Sequence, residues 1–249
     1  GQFRLEGIDV SWRCFMEWIR APTQAGVHLR NERPEDRAGD GLLPPQEHYY
    51  MTRTIELIFD FVSPNAYLIW QPLKALAEKH GAKIEITPVF LGGMHKLTGN
   101  APPFMRDADV KGKNDYAMLE MNRFIAKHGL TKFKMNPKFP FNTVTLQRLL
   151  LTVGSEERPK LIDALNPGIW EEGLDMTDME VVAKLLTDAG YDAQAMLEKT
   201  QDPEVKQALM DNTEKAVERG AFGIPTMYVD GEMYFGKERL GQIEGQIKA

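Results

Sequence analysis

Residues 54–67 read TIELIFDFVSPNAY, and this stretch decides the fold. Its first part, residues 54–61, alternates and is rich in residues that favour strands, which predicts a β-strand. Ser63 and Pro64 follow, and serine is a favoured N-cap while proline is favoured in the first helical turn. The stretch therefore predicts a strand that passes through a short turn into a helix.

The next segment completes a strand-helix-strand unit. We expect the helix to run to about His80, with Gly81 as its C-terminal stop and Pro72 as a kink or a restart. Residues 83–89 (KIEITPV) form the second predicted strand. This order predicts a parallel pair of strands joined by a right-handed crossover.

The middle of the chain is mainly helical. A loop is expected around Gly92, Gly93 and Gly99, and helices are expected over about residues 109–220. The expected breaks between these helices lie near residues 129–141, 154–155, 167–175 and 189–192.

The chain then returns to strands. Residues 226–229 and 233–235 are predicted strands around an Asp230-Gly231 hairpin turn, and a last helix is expected over about 237–247. The order β-α-β, helical block, β-β-α predicts an α/β, thioredoxin-like fold with a helical domain inserted in its middle. We expect one such domain over residues 51–249, with the insertion at about 105–220.

The overall charge argues against two classes of partner. The 249 residues carry a formal net charge of −6, which gives no general attraction to nucleic acid or to an anionic membrane. No apolar run approaches the roughly 20 residues that span a bilayer, and no signal peptide pattern opens the sequence. We therefore expect a cytoplasmic protein with neither nucleic acid nor membrane as a partner.

Cysteine usage restricts the chemistry. Cys14 is the single cysteine, so an internal disulfide, a CxxC redox pair and a cysteine-rich zinc site are excluded. The five histidines are scattered, and no metal site is expected.

Residues 1–50 differ in composition from the rest. They contain six arginines and no lysine, and several prolines and glycines interrupt them. No sustained period of 2 or 3.6 is present beyond a possible short helix near Cys14. We interpret this segment as an extension that is mostly disordered; the alternative is a docking or regulatory arm.

Ser63 is the first candidate for chemistry. Free N–H groups and the helix dipole favour negative charge at the start of a helix. A hydroxyl at that point can hydrogen-bond a bound thiolate and lower the pKa of the thiol. The alternative interpretation is that Ser63 is only an N-cap.

Pro225 is the second candidate, because it directly precedes a predicted strand. A cis Ile224–Pro225 bond would turn the N–H and C=O of Ile224 outward, where an extended peptide ligand could pair with them like an added strand. The alternative is an ordinary trans turn.

Several segments together resemble one family. In chain order they are Ser63-Pro64, LGGM at 91–94, GNAPP at 99–103, FPFNT at 139–143, FGIPT at 222–226, Asp230-Gly231 and Phe235-Gly236. This ordered set resembles the glutathione-using branch of the DsbA superfamily, which contains 2-hydroxychromene-2-carboxylate isomerases and kappa-class glutathione transferases. In this resemblance Ser63 stands where DsbA relatives carry the first cysteine of CxxC.

The resemblance implies roles for individual residues. Ser63 would contact the sulfur of glutathione, Asn100 would hold the ligand near the thiol, and Ile224 would pair with the cysteinyl backbone next to a cis Pro225. The family usually has a small polar residue and an aspartate after Phe235-Gly236. This chain has Lys237 and Glu238 there, which could pair with the carboxylate and the amine of the γ-glutamyl end.

The residues expected at the substrate end of the site indicate the substrate less specifically. Isomerases of the naphthalene pathway often show a lysine where this chain has His95; here Lys96 follows instead, as in the kappa-class pattern. Lys113 and Tyr116 share one predicted helical face with Glu120 and Arg123. That face is either solvated, with a Glu120–Arg123 pair, or it overhangs the cleft and binds an anionic aromatic substrate. Trp70 and Trp170 are interpreted as packing residues.

The resemblance implies an enzyme with glutathione as its cofactor or cosubstrate. The leading hypothesis is an isomerase in which the thiolate adds reversibly to a conjugated aromatic-pathway intermediate, and the alternative is a transferase that conjugates glutathione to a small electrophile. Relatives are often homodimers. A thiol–disulfide oxidoreductase is disfavoured because residues 51–249 contain no cysteine, and a non-catalytic binding module remains a third hypothesis.

Overall fold

A computed structural model describes residues 53–248. The predicted extension at residues 1–50, including Cys14, lies outside the described residues. The strands are β1 (Thr54–Phe59), β2 (Lys83–Pro88), β3 (Thr226–Val229) and β4 (Glu232–Phe235). The α-helices are α1 (Pro64–His80), α2 (Leu91–Thr98), α3 (Pro103–Arg106), α4 (Lys113–His128), α5 (Val144–Thr152), α6 (Arg158–Trp170), α7 (Met179–Asp188), α8 (Ala193–Lys199), α9 (Pro203–Glu218) and α10 (Leu240–Lys248). Short 3₁₀ turns cover Ser155–Glu157 and Lys237–Arg239.

The four strands form one mixed sheet in the order β2-β1-β3-β4. β1 is parallel to β2 and antiparallel to β3, and β3 is antiparallel to β4. This is the predicted thioredoxin-like order, with helices α2 to α9 inserted between β2 and β3. Because Ile58 pairs with Thr226, the carboxyl end of β1 lies beside the amino end of β3. That register brings the residues after β1 and before β3 to the same edge of the sheet.

The core lies on both faces of β1 and β3. All four residues of β3 are buried, as expected for a central strand. Trp70 of α1 and Trp170 of α6 are also buried, which confirms their prediction as packing residues. Gln147 of α5 joins the helical block to the sheet, since its amide nitrogen donates to the carbonyls of Phe59 (2.8 Å) and Val89 (2.9 Å).

The predicted loop after β2 is wrong over residues 91–98, which form α2. The two glycines lowered the expected helix propensity, but close packing requires them. A Cβ atom at Gly92 would lie 2.8 Å from the ring of Phe90. The small residues let α2 lie against that ring, and the hydrogen bond from the N–H of Phe90 to the Thr213 hydroxyl of α9 (2.9 Å) adds the tertiary contact that outweighs the intrinsic preference.

The restart expected at Pro72 is absent, and the break expected near residues 167–175 begins only after Trp170. α1 continues through Pro72, and α6 continues through Pro167 to Trp170. A proline inside a helix removes one hydrogen bond. Buried side chains on both helices supply enough packing to keep the helices continuous.

A cluster of ion pairs attaches the C-terminal helix to α1. Glu244 of α10 accepts hydrogen bonds from Lys79 (2.8 Å) and His80 (2.9 Å), and lies 3.1 Å from Lys248. Hydrogen bonds from these three side chains lower the pKa of Glu244 to about 2. A carboxyl group with a lowered folded-state pKa stabilises the fold above its unfolded pKa, and this stabilisation is lost as the pH falls through the folded pKa.

Glu244→Gln is therefore expected to lower the melting temperature near pH 7. The difference from wild type should shrink as the pH falls from the ordinary value of 4.5 towards about 2. Thermal unfolding across this pH range measures the effect, with Glu232→Gln on exposed β4 as a control. A difference that stays constant with pH would contradict the assignment.

Candidate functional site

Ser63 lies at the junction of β1 and α1. Its backbone is extended (φ −87°, ψ 112°), and its hydroxyl oxygen accepts a hydrogen bond from the N–H of Ala66 at 3.2 Å. The same hydroxyl donates to the carbonyl of Ile224 at 3.2 Å. Ser63 is thus both the N-cap of α1 and a polar group directed at the start of β3.

The Ile224–Pro225 bond is cis, which confirms that prediction. The expected outward-facing carbonyl of Ile224 is not observed. This carbonyl accepts the Ser63 hydroxyl and is not free for a ligand. Within residues 53–248, the N–H of Ile224 has no hydrogen-bond partner. One backbone donor therefore remains available for an extended ligand next to Ser63.

Asn100 is brought to the same region. Its side-chain nitrogen donates to the carbonyl of Phe222 at 2.7 Å, two residues before Ile224. Its side-chain oxygen accepts the N–H of Ala101 at 2.9 Å. The structure thus gathers Ser63, Asn100 and the segment before β3, as the sequence predicted.

A charged network extends from Asn100 to α4. Arg106 donates to the side-chain oxygen of Asn100 at 3.4 Å and to Asp107 at 3.0 Å, and Lys113 donates to Asp107 at 2.9 Å. Hydrogen bonds from Arg106 and Lys113 hold the pKa of Asp107 well below its usual range. Sequence reasoning missed Arg106 and Asp107, because an Arg-Asp pair in a polar segment looks like an ordinary solvated surface.

The remaining substrate-end candidates are more exposed. Tyr116 is 59% exposed on α4, and Lys96 lies in the last turn of α2. Burial, followed by the charge of Arg106, lowers the pKa of the neighbouring His95.

A cavity of about 210 Å³ lies between α4 and the segment after β4. Its lining includes Glu120, Arg123, Phe124, Lys127, Lys237 and Glu238. The Lys237 ammonium donates to the Glu238 carboxylate and lies 5.4 Å from the ring centre of Phe124. The predicted Glu120–Arg123 pair is present, and both residues line this cavity, so their helical face is not purely solvated.

Gly236 directly precedes the cavity-lining residues Lys237 and Glu238, and its N–H donates to the carbonyl of Pro225 at 3.0 Å. Lys237 and Glu238 are therefore adjacent to the start of β3 along the sheet. Phe222 and Phe235 form an aromatic contact at the same place, with ring centres 4.5 Å apart, and each is 37% exposed. Charged and apolar surfaces thus both adjoin the Ser63 region.

Asp60 is the most deeply buried ionisable group near Ser63, with no exposed surface. Its carboxylate accepts the N–H of Val62 (3.0 Å), the N–H of Leu91 (2.8 Å) and the hydroxyl of Thr143 (2.7 Å). Burial raises the pKa of Asp60 to about 6, and these hydrogen bonds limit the rise. A polar residue between two aromatic ones, Phe59 and Phe61, was the signal that could have pointed to it.

These features define a thioredoxin-fold site in which a serine hydroxyl and a cis-proline face each other, and no cysteine occurs in residues 53–248. The chain belongs to the DSBA-like thioredoxin domain family, because the model of that family matches residues 54–248.

Two named relatives and one solved structure resemble this chain over most of its length. The chain is 29% identical over 200 residues to a 2-hydroxychromene-2-carboxylate isomerase of Sphingobium xenophagum, covering 79% of this chain and 99% of that protein. It is 30% identical over 203 residues to glutathione S-transferase kappa 1 of Rattus norvegicus, covering 76% and 88%. A solved 2-hydroxychromene-2-carboxylate isomerase structure superposes with a TM-score of 0.68 at 25% identity, covering 78% and 94% of the two chains.

Residues 53–248 contain neither a candidate metal cluster nor a candidate membrane-spanning helix. No group of three or more His, Cys, Asp or Glu side chains is arranged to hold a metal ion. None of the described helices has the length and apolar character needed to traverse a lipid bilayer.

Proposed function

We propose that this protein binds glutathione and acts as an isomerase of the 2-hydroxychromene-2-carboxylate type. The observation that carries the proposal is the Ser63 hydroxyl at the start of α1, 3.2 Å from the carbonyl of Ile224 beside cis Pro225. Relatives named as such isomerases and as kappa-class glutathione transferases support it.

The residues present fit a γ-glutamyl tripeptide thiol. The N–H of Ile224 has no partner within the described part of the chain. An unpaired backbone donor is costly when it is buried, and an extended peptide ligand could satisfy it. Lys237 and Glu238, which pair with each other in the cavity, provide a cation and an anion for the zwitterionic end of such a ligand.

Bound glutathione would supply a thiolate nucleophile, which is regenerated when the reaction is an isomerisation. Ser63 is proposed to redirect its hydroxyl proton from the Ile224 carbonyl to the sulfur. A hydrogen bond to the charged form favours it, and the N-terminus of α1 adds a positive potential. The chain thus lowers the pKa of the thiol before any substrate arrives.

The other residues are proposed to position the ligand and the substrate. Ile224 pairs through its N–H with the cysteinyl backbone, and Asn100 orients the ligand near the thiol. Lys96, Lys113 and Tyr116 are proposed to bind an aromatic carboxylate. Exposed Phe222 and Phe235 provide an apolar surface, and holding both reactants in one orientation supplies much of the rate.

Conjugation of glutathione to a small electrophile, as in kappa-class transferases, is the second candidate. The observation that favours it is the order His95-Lys96, which resembles the kappa-class pattern. A non-catalytic glutathione-binding module is the third possibility. We propose that the enzyme lies in the cytoplasm, where glutathione is kept reduced. We also propose that it is a homodimer, which light scattering would test.

Calorimetry with glutathione tests the proposal directly. Binding at millimolar concentration or tighter is expected, and its absence would overturn the function. Turnover of 2-hydroxychromene-2-carboxylate with catalytic glutathione would identify the isomerase. Stoichiometric consumption of glutathione by a model electrophile would identify the transferase, and binding without either reaction would leave a binding module.

The variant Lys237→Met tests whether Lys237 binds the γ-glutamyl end of glutathione. A hydrogen bond to a charged group contributes about 1.5–3 kcal/mol, so glutathione affinity should fall roughly 10–100-fold. Affinity for cysteinylglycine, which lacks the γ-glutamyl group, should stay the same. Calorimetry with both thiols measures this, and Lys184→Met on exposed α7 is the matched control. Equal losses for both thiols would contradict the assignment of Lys237.

A further inference from the structure

Asp60 joins the turn before Ser63 to the helical insertion. The turn is closed by two hydrogen bonds to this residue, from the N–H of Val62 to the carboxylate (3.0 Å) and from the N–H of Ser63 to the backbone carbonyl (3.1 Å). The same carboxylate accepts the N–H of Leu91 at the start of α2 and the hydroxyl of Thr143 directly before α5. Three separate parts of the chain therefore meet on one buried side chain.

The chemistry of this contact is unusual for a residue that serves stability alone. The hydrogen-bond donors to the Asp60 carboxylate within residues 53–248 are two backbone amides, the Thr143 hydroxyl and the side-chain amide of Gln147, and none is a cation. Burying a carboxylate without an ion pair is costly. Such a cost is typical of groups that are held for a function.

We propose that Asp60 is a positioning residue that fixes the Ser63 hydroxyl for the thiolate and couples it to the helical insertion. The proposal rests on the glutathione-dependent function given above. Asp60 acts through the turn, because the N–H of Val62 and the N–H of Ser63 both bond to it. Thr143 and Leu91 hold its carboxylate in the orientation that this turn requires.

Two variants distinguish a positioning role of Asp60 from a direct effect of its negative charge. Asp60→Asn removes the charge and one of the acceptors, whereas Thr143→Val keeps the charge and shape but removes the hydroxyl that orients the carboxylate. Thr152→Val is the matched control, since the Thr152 hydroxyl on α5 bonds only locally, to the carbonyl of Leu149. Thermal unfolding of each variant establishes that it is folded.

The readout is the thiol pKa of bound glutathione, measured from the ultraviolet absorbance of the thiolate during a pH titration. S-methylglutathione, which has no thiol, is the blank. Both Asp60→Asn and Thr143→Val are expected to raise this pKa and to lower kcat/KM near neutral pH, about tenfold for Asp60→Asn. The KM for glutathione should change less than kcat, and Thr152→Val should behave as wild type.

The outcomes are distinguishable from failure of the function itself. If the wild-type protein does not bind glutathione, the proposed function fails. If it binds, but the thiol pKa falls in Asp60→Asn and is unchanged in Thr143→Val, Asp60 acts only as a nearby negative charge and the positioning role is overturned. Unchanged pKa values in both variants, with lower melting temperatures, would show a purely structural role and also overturn it.

Discussion

Replacing Ser63 by alanine is expected to slow turnover near neutral pH by roughly 10–100-fold, because the thiolate loses a hydrogen-bond donor. Part of this loss should be recovered at high pH, where the thiol ionises without assistance. Affinity for glutathione should change less, since most of the tripeptide would be bound elsewhere. The pH dependence of kcat and KM for both proteins measures the effect.

The alternative that Ser63 is only an N-cap has its own test. Loss of the cap in Ser63→Ala should cost about 1 kcal/mol of stability, and urea unfolding measures that separately. Ser63→Asp keeps an N-cap acceptor for the N–H of Ala66 but places a negative charge beside the sulfur. Because a carboxylate cannot donate to the carbonyl of Ile224 as the Ser63 hydroxyl does, the variant should lose some stability, and it should be folded but nearly inactive. Activity in Ser63→Asp comparable to wild type would refute the thiolate role.

Replacing Trp170 by alanine is expected to have the largest effect on stability, about 3–5 kcal/mol, as for other buried aromatic side chains. Trp170 has no exposed surface, and its ring centre lies 6.0 Å from that of Phe133 and 6.1 Å from that of Phe139. Its indole N–H also donates to the carbonyl of Phe61 at 3.1 Å. The change would leave both a cavity and an unpaired buried carbonyl close to the turn that presents Ser63.

Denaturant unfolding of Trp170→Ala measures this loss. Trp170→Phe keeps most of the volume and removes the N–H, so it should lose roughly 1–3 kcal/mol. Met118→Ala, at a site that is 48% exposed, should stay within about 0.5 kcal/mol of wild type. A loss below about 1.5 kcal/mol in Trp170→Ala would mean that the site collapses around the smaller residue.

Local signals in the sequence were sufficient for the core of the fold. The strand at Thr54–Phe59, the helix start at Ser63-Pro64 and the stop at Gly81 depend on alternation, capping and left-handed backbone, which act within a few residues. The same holds for the hairpin, where Asp230 (φ 50°) and Gly231 (φ 84°) adopt the positive φ angles that its turn requires. From the order of these elements the sheet topology could be predicted.

The residues of the candidate site were partly predictable for a related reason. Ser63 and Pro225 lie at the ends of predicted elements, where a polar group and a proline are conspicuous, and they converge through the antiparallel pairing of β1 with β3. Asn100 was indicated by the family resemblance alone, and its hydrogen bond to the carbonyl of Phe222 brings it to the same place.

Other features depend on contacts between residues far apart in the sequence, and local patterns do not encode them. The start of the helix at residues 91–98 is fixed by Thr213 of α9, whose hydroxyl accepts the N–H of Phe90 at 2.9 Å, and α1 and α6 continue through prolines because buried neighbours stabilise them. The carbonyl of Ile224 is taken by Ser63, 161 positions away. Asp60 is the clearest example of a feature that local patterns do not predict. In the sequence it is a single polar residue that interrupts a predicted strand. Only the packing of α2 and α5 around it makes it a buried carboxylate.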